Sequence, residues 1–449
     1  MVTLNRRFVR TFRRTTPSAP VLALVNASLQ AFAEILFSPF LLATLIFLLG
    51  GNNWKIALPI VISGAAWSLS VPVRSLLARI SPPGRYLATA SGVIRTGAAA
   101  LIAWLGYFSD DVEPLRMIDL LLICYAVYVV ASAFNLTTTR GLIAASTPAI
   151  RAGSLFAMQR VFAGAASVVG GIVAIYALRS HELEFYKNIG VLYLLGAVAV
   201  AAATWFQFMT TVAATRAINP QSAGRGGIWS TVLNPAVRRL LGYRLLVGLS
   251  TMADPFLIVF GIRELGFELF YVGMAICVYA GGQLLAALVA PKWASHRGPR
   301  GILLTGSVCR LAAIATALTV PPLSRTSLYT DQFDTTWQAT LAFAALFGLL
   351  GASAYVQAVG SQRYIYDVVP LTNRLSAISL SNLVLGITAG APLVGAYLIE
   401  QYDLDVLLMV GTSLAFVGFA SAGFLFDPAP RAIRRQGAWR QRRTVRRAA

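Results

Sequence analysis

The chain has 449 residues, of which 57% are hydrophobic and only 12% charged, and its formal net charge is +20. That balance excludes an ordinary soluble domain, in which about a quarter of the residues are charged. It also argues against a nucleic-acid partner, because much of the excess arginine sits in two tails that adjoin apolar stretches and so face an anionic lipid leaflet.

In chain order, a basic arm at 1–19 carries Arg6 to Arg14 and is followed by twelve long apolar stretches. The first six span 21–49, 55–78, 86–108, 116–138, 153–178 and 188–214. The second six span 240–262, 268–291, 300–321, 337–360, 374–399 and 404–426. A helix needs ~20 apolar residues to cross a hydrocarbon core of ~30 Å, and the segments are too long and too continuous for the alternating strands of a membrane barrel. The fold class expected is an all-α integral membrane protein with twelve transmembrane helices.

Basic clusters occupy the two tails and every second connection: Arg74 to Arg85, Arg140 to Arg151, Arg216 to Arg239, Lys292 to Arg300 and Arg363 to Arg374. The other connections hold acids, among them Asp110, Asp111, Glu113, Glu182, Glu184, Glu264, Glu268, Asp331, Asp334, Glu400, Asp403 and Asp405. By the positive-inside rule both termini are cytoplasmic. The first span is longer than the core of a signal peptide and has no clear cleavage pattern, so it is expected to stay in the mature protein.

The longest basic connection, 216–239, is rich in turn formers (Asn219-Pro220, Gly226-Gly227, Asn234-Pro235) and reads as a cytoplasmic loop. It separates a six-helix bundle at 20–215 from a second at 240–426, and a basic tail follows at 427–449. The halves echo each other. Ser38-Pro39-Phe40 matches Asp254-Pro255-Phe256 at an offset of 216, and Gly84-Arg85 with Arg95 matches Pro299-Arg300 with Arg310 at an offset of 215. Arg151 and Phe162-Ala163-Gly164 find counterparts in Arg374 and Val384-Leu385-Gly386. A parallel repeat of this kind places a substrate site at the interface of two bundles.

Several chemistries have no footing. No connection is long enough for a soluble catalytic domain, and the three lysines, Lys55, Lys187 and Lys292, lie outside any phosphate-cradling loop. His181 and His296 fall on opposite sides of the membrane, and Cys124, Cys277 and Cys309 lie within spans. No metal-ligand spacing, nucleophile–base set or cofactor is read from these residues, and the chain is not expected to be an enzyme.

The connection between spans 8 and 9, Pro291-Lys292-Trp293-Ala294-Ser295-His296-Arg297-Gly298-Pro299-Arg300, resembles the G-x-L-A-D-R-x-G-R-R turn of the major facilitator superfamily of secondary transporters. The 6+6 plan and the cytoplasmic central loop are similar to that family over all but the tails. Ser295 and His296 stand where the family has Asp and Arg, and the counterpart Ser75 to Arg85 also lacks the acid. The charge-relay gate of that turn is therefore not carried over. An Arg about ten residues into the third helix of each half is weakly similar to bacterial exporters of the superfamily.

Arg95 and Arg310 each lie ten residues beyond a basic loop, a depth of ~15 Å at ~1.5 Å per residue. A central Arg costs ~2.5–3.5 kcal/mol on insertion scales, so each is expected to have a partner and to lock its helix to its own bundle, the third helix of the resembled fold being peripheral. Asn26, Gln30 and Glu34 form a polar stripe on span 1, which lines the central cavity in that fold, and Pro39 follows to break the helix. A carboxylate held out of water binds its proton more tightly, so Glu34 is the first candidate for proton or substrate coupling, the competing reading being a static pair with Arg95 or Arg160. Asp254 is the second. Arg160 shares a face with Gly164, Ser167 and Gly171, which suits either a cavity or helix packing.

Further candidate wall residues are Ser63, Trp67, Ser70 and Arg74 on span 2, Tyr125, Tyr128, Ser132 and Asn135 on span 4, Tyr279 and Gln283 on span 8, and Tyr355 on span 10. The function expected is a secondary transporter moving a small organic solute across the cell inner membrane by alternating access, with proton-coupled efflux preferred and a monomer as the working unit. The alternative is a non-transporting membrane protein of the same fold, such as a sensor, lipid scramblase or assembly factor.

Overall fold

The computed structural model describes residues 19–69, 84–108, 113–146, 149–180, 185–214, 228–324, 336–370 and 373–426. The basic arm, the tail, the turn 75–83, the acids of 109–112 and 181–184, and residues 215–227 of the central connection lie outside the described residues, as does His181.

The first span is two helices, α1 (Ala19–Leu36) and α2 (Pro39–Leu48). Pro39 has no N–H to give to Ile35, so Ser38 N donates to Ile35 O instead, at 3.2 Å, and the Ser38 hydroxyl caps α2 by accepting from Leu41 N at 3.3 Å. Next come α3 (Asn53–Ser68), α4 (Gly84–Phe108), α5 (Pro114–Ser146), α6 (Ala149–Arg179) and α7 (Phe185–Ala214). Within the expected central loop, Ile228–Val232 is a short helix, α8, and the seventh span starts at Pro235 behind an Asn234 cap.

That span repeats the break of the first. Helix α9 (Pro235–Leu249) gives way to a 3-10 turn, Ser250–Ala253, and then to α10 (Asp254–Arg263). Here Asp254 N donates to Thr251 O, the same displaced bond as Ser38 to Ile35 at the 216-residue offset. One continuous stretch, α11 (Phe270–Ser324), contains the eighth and ninth spans, which meet at Gly298 with φ 66° and ψ 177°, a backbone that a side chain would strain. The remainder is α12 (Thr336–Val368), a span broken into α13 (Arg374–Thr388) and α14 (Ala391–Gln401), and α15 (Leu404–Gly423).

Eleven stretches among the described residues are long and apolar enough to cross a membrane. The twelfth is span 2, of which only the 16 residues of α3 are described as helix. Large apolar side chains such as Ile94, Leu101, Trp104 and Phe108 point outward from α4, as lipid contact requires. The C-terminal end of the described chain packs on the starts and ends of other spans of its half: Arg239, at the start of the seventh span, donates to Phe424 O at 3.1 Å, and Phe426 N donates to Tyr364 Oη at 3.2 Å.

The halves meet along two seams, α6 against the first arm of α11 and α3 against α13 and α14. Small residues set the spacing. A Cβ at Gly171 would stand 2.4 Å from the Cα of Cys277, and one at Gly64 would stand 2.4 Å from the Cβ of Ala389, so the helices approach as closely as backbone allows.

Candidate functional site

Beyond their breaks, α2 and α10 lean across the midline and pack on each other, whereas α1 packs chiefly on α6 and α7 of its own half. The region where α2 meets the second half is filled with rings. Phe40 meets Tyr279 edge-on at 5.6 Å and Phe347 at 6.0 Å, and Tyr271, Phe343, Phe267 and Phe260 continue the cluster. Toward the same face Trp54 Nε1 donates to Glu400 Oε2 at 2.8 Å across the halves. The bundles are thus closed against each other on the face that bears Trp54 and Glu400.

On the other side of this seal, polar groups of both halves are accessible. Glu34 is exposed and accepts from Gln30 Nε2 at 3.1 Å, while Asn26, two turns back on the stripe, is buried. Arg160 is exposed, donates to Gln362 Oε1 of the second half at 3.3 Å and lies over the ring of half-buried Tyr355 at 5.9 Å. Gln362 was not singled out from sequence, because its side chain becomes relevant only once span 5 is known to face span 10.

The two deep arginines are unequal. Arg310 makes four hydrogen bonds: Nη2 and Nη1 bind Asp254 at 2.6 and 3.0 Å, Nε donates to Ser250 Oγ at 3.1 Å, and Nη2 also reaches Ser250 O at 2.6 Å. Asp254 is therefore tied to span 9 within its own half, with Tyr279 and its partner Gln283 beside it. Arg95 is 1% exposed, lies within electrostatic reach of Tyr128 and Glu34, and has no hydrogen-bond partner for Nε or Nη2.

Tyr125 and Tyr128 are buried, with Tyr128 4.8 Å from the Phe37 ring and Tyr193 stacked on Phe37 at 5.3 Å. Asn135 donates to Ala88 O at 3.1 Å, so the stripe of span 4 lies largely in the seam with span 3. Ser63 returns its hydroxyl to Ile60 O, and the side chain of Trp67, with Ser70 and Arg74, lies outside the described residues. A fourth intramembrane cation, Arg244, was not anticipated; it donates to Ser381 of span 11. No group of three or more His, Cys, Asp or Glu side chains able to hold a metal occurs among the described residues.

Residues 240–448 match the sequence model of the Major Facilitator Superfamily. The fold is similar to that of the nucleoside transporter NupG, with a TM-score of 0.65 and 14% identity, over 91% of this chain and 99% of that one. It is similar as well to a bacterial homologue of the iron transporter ferroportin in an inward-facing state, with a TM-score of 0.66 and 12% identity, over 90% and 97% of the two chains. Likeness at such identities is one of fold. No curated protein matches the chain in sequence.

Proposed function

We propose that this chain, which has the fold of the Major Facilitator Superfamily and matches its sequence model over residues 240–448, carries a small solute across a cell membrane by alternating access. The observation that carries the reading is the combination of an aromatic seal at Phe40, Tyr279 and Phe347 with accessible charge behind it, at Glu34 on the first span and at Arg160, which bonds to Gln362 of the second half. A protein using the fold only as a scaffold has no need of an accessible carboxylate midway along its first span, where an ionisable group is costly. The acid-free turn at 291–300 favours the non-transporting alternative, since the family's gating charge is missing there.

In this reading the face bearing the chain ends is cytoplasmic, and the solute enters from it between the two bundles. Glu34 exchanges a proton as the bundles rock, and an aromatic seal with an accessible acid behind it suits export of an organic solute against proton entry. The neighbours' solutes, nucleosides and iron, bracket the panel to be tested. Counterflow into proteoliposomes, with nucleosides, organic cations, amino acids and divalent iron as probes, is expected to show accumulation of one class. Absence of flux for the whole panel, with and without a pH gradient, would count against transport and for the scaffold alternative.

A further inference from the structure

The internal repeat supplies a template for Arg95. Glu34 stands at the position of Ser250 and Ser38 at that of Asp254, both at the 216-residue offset, while Arg95 stands at that of Arg310. The backbone agrees in register: Ser38 N to Ile35 O and Asp254 N to Thr251 O are the same displaced bond, each following the residue in question by four positions. In the second half the edge of the guanidinium formed by Nε and Nη2 rests on Ser250. In the first half the same two atoms of Arg95 are buried and unpartnered, and the residue at the repeat position of Ser250 is an acid, Glu34. Two donors on one edge of an arginine match the two oxygens of a carboxylate. Glu34 is the acid within electrostatic reach, and its carboxylate is turned to Gln30 and the accessible side.

We infer that the Nε and Nη2 edge of Arg95 is the docking place of the Glu34 carboxylate in the carrier's other conformation. The pair is open when the aromatic seal is closed and forms when the seal opens. Arg95 is then a positioning residue: it receives the coupling acid and touches no solute. Asp254 and Arg310 are the permanently closed version of the same device, which holds the second half rigid while the first half switches. The inference rests on the reading of Glu34 as the coupling carboxylate.

The test needs no solute. Full-length protein with Cys124, Cys277 and Cys309 replaced by alanine is spin-labelled at Leu48→Cys and Tyr402→Cys, two exposed sites on the sealed face, and the distance distribution is measured in lipid nanodiscs. A pair made in one conformation alone stabilises that conformation, so Glu34→Gln and Arg95→Met should each reduce the long-distance population about tenfold. The double variant should reduce it no further than either single change. Arg95→Lys, which keeps the charge without the fork, should fall between wild type and Arg95→Met and serves if Arg95→Met does not fold. Additive shifts, no shift, or a wild type with the short distance alone would overturn the pairing. If the shifts coincide but Glu34→Gln still concentrates solute, the pairing stands as a conformational contact and the coupling role of Glu34 fails.

Discussion

Arg310 shows what a cation deep in an apolar span needs: a bidentate acid in Asp254 and a hydroxyl and carbonyl from Ser250, which together take four hydrogen bonds. Removing one member of such a pair strands the other, which typically costs ~3–5 kcal/mol, whereas removing both is far milder. Arg310→Leu and Asp254→Leu are therefore expected to lower folded yield and the thermal unfolding midpoint, and the double leucine variant should recover much of the loss. Equal damage in single and double variants would show that the pair does not act as a unit. The depth of Arg95 and Arg310 was legible from their distance to a basic loop. Their partners were not, because pairing depends on which helix faces which. Arg244 escaped notice because it follows Arg238 and Arg239 closely and reads as the edge of the central basic cluster.

At the scale of elements, Pro39 announced the break of the first span, since a proline inside an apolar run leaves a carbonyl without its donor, whereas the break of the seventh span was not read although the matching Pro255 carries the same signal. The break of the eleventh span at Ala389 and Gly390 was missed, although Gly390 and Pro392 carry a similar signal. The aromatic seal was also illegible, because Phe40, Phe343 and Phe347 look like any apolar residues until the halves are docked. Seam glycines are the element-level feature most open to test. Gly171→Val would push a side chain into the backbone of Cys277 across the halves, where the Cβ alone has 2.4 Å. Overpacking of this kind costs ~1–3 kcal/mol, so the unfolding midpoint should drop. Gly97→Val meets nothing within 4 Å and should leave the midpoint nearly unchanged. A neutral Gly171→Val would mean that the seam between α6 and α11 is looser than described.

For the whole molecule, two opposed patterns in the connections, arginines on one side and acids on the other, predict twelve spans with both chain ends on one face, and eleven of those spans stand as long apolar helices among the described residues. The 216-residue echo revealed two halves, and the repeated helix breaks show that the echo is one of backbone as well as sequence. The basic clusters predict the orientation: Tyr402→Cys should react with a membrane-impermeant maleimide in intact cells, while Tyr366→Cys should react after lysis alone. The reverse pattern would invert the topology.

The coupling role of Glu34 is the claim on which the account turns. An acid that couples protons to a solute must alternate between charged and neutral forms, and glutamine keeps its shape while staying neutral. In proteoliposomes with an imposed pH gradient, Glu34→Gln should fail to concentrate solute against its gradient yet still exchange labelled for unlabelled solute at equilibrium. A Glu34→Gln protein that concentrates solute as the wild type does would contradict the account and move the coupling acid to Asp254.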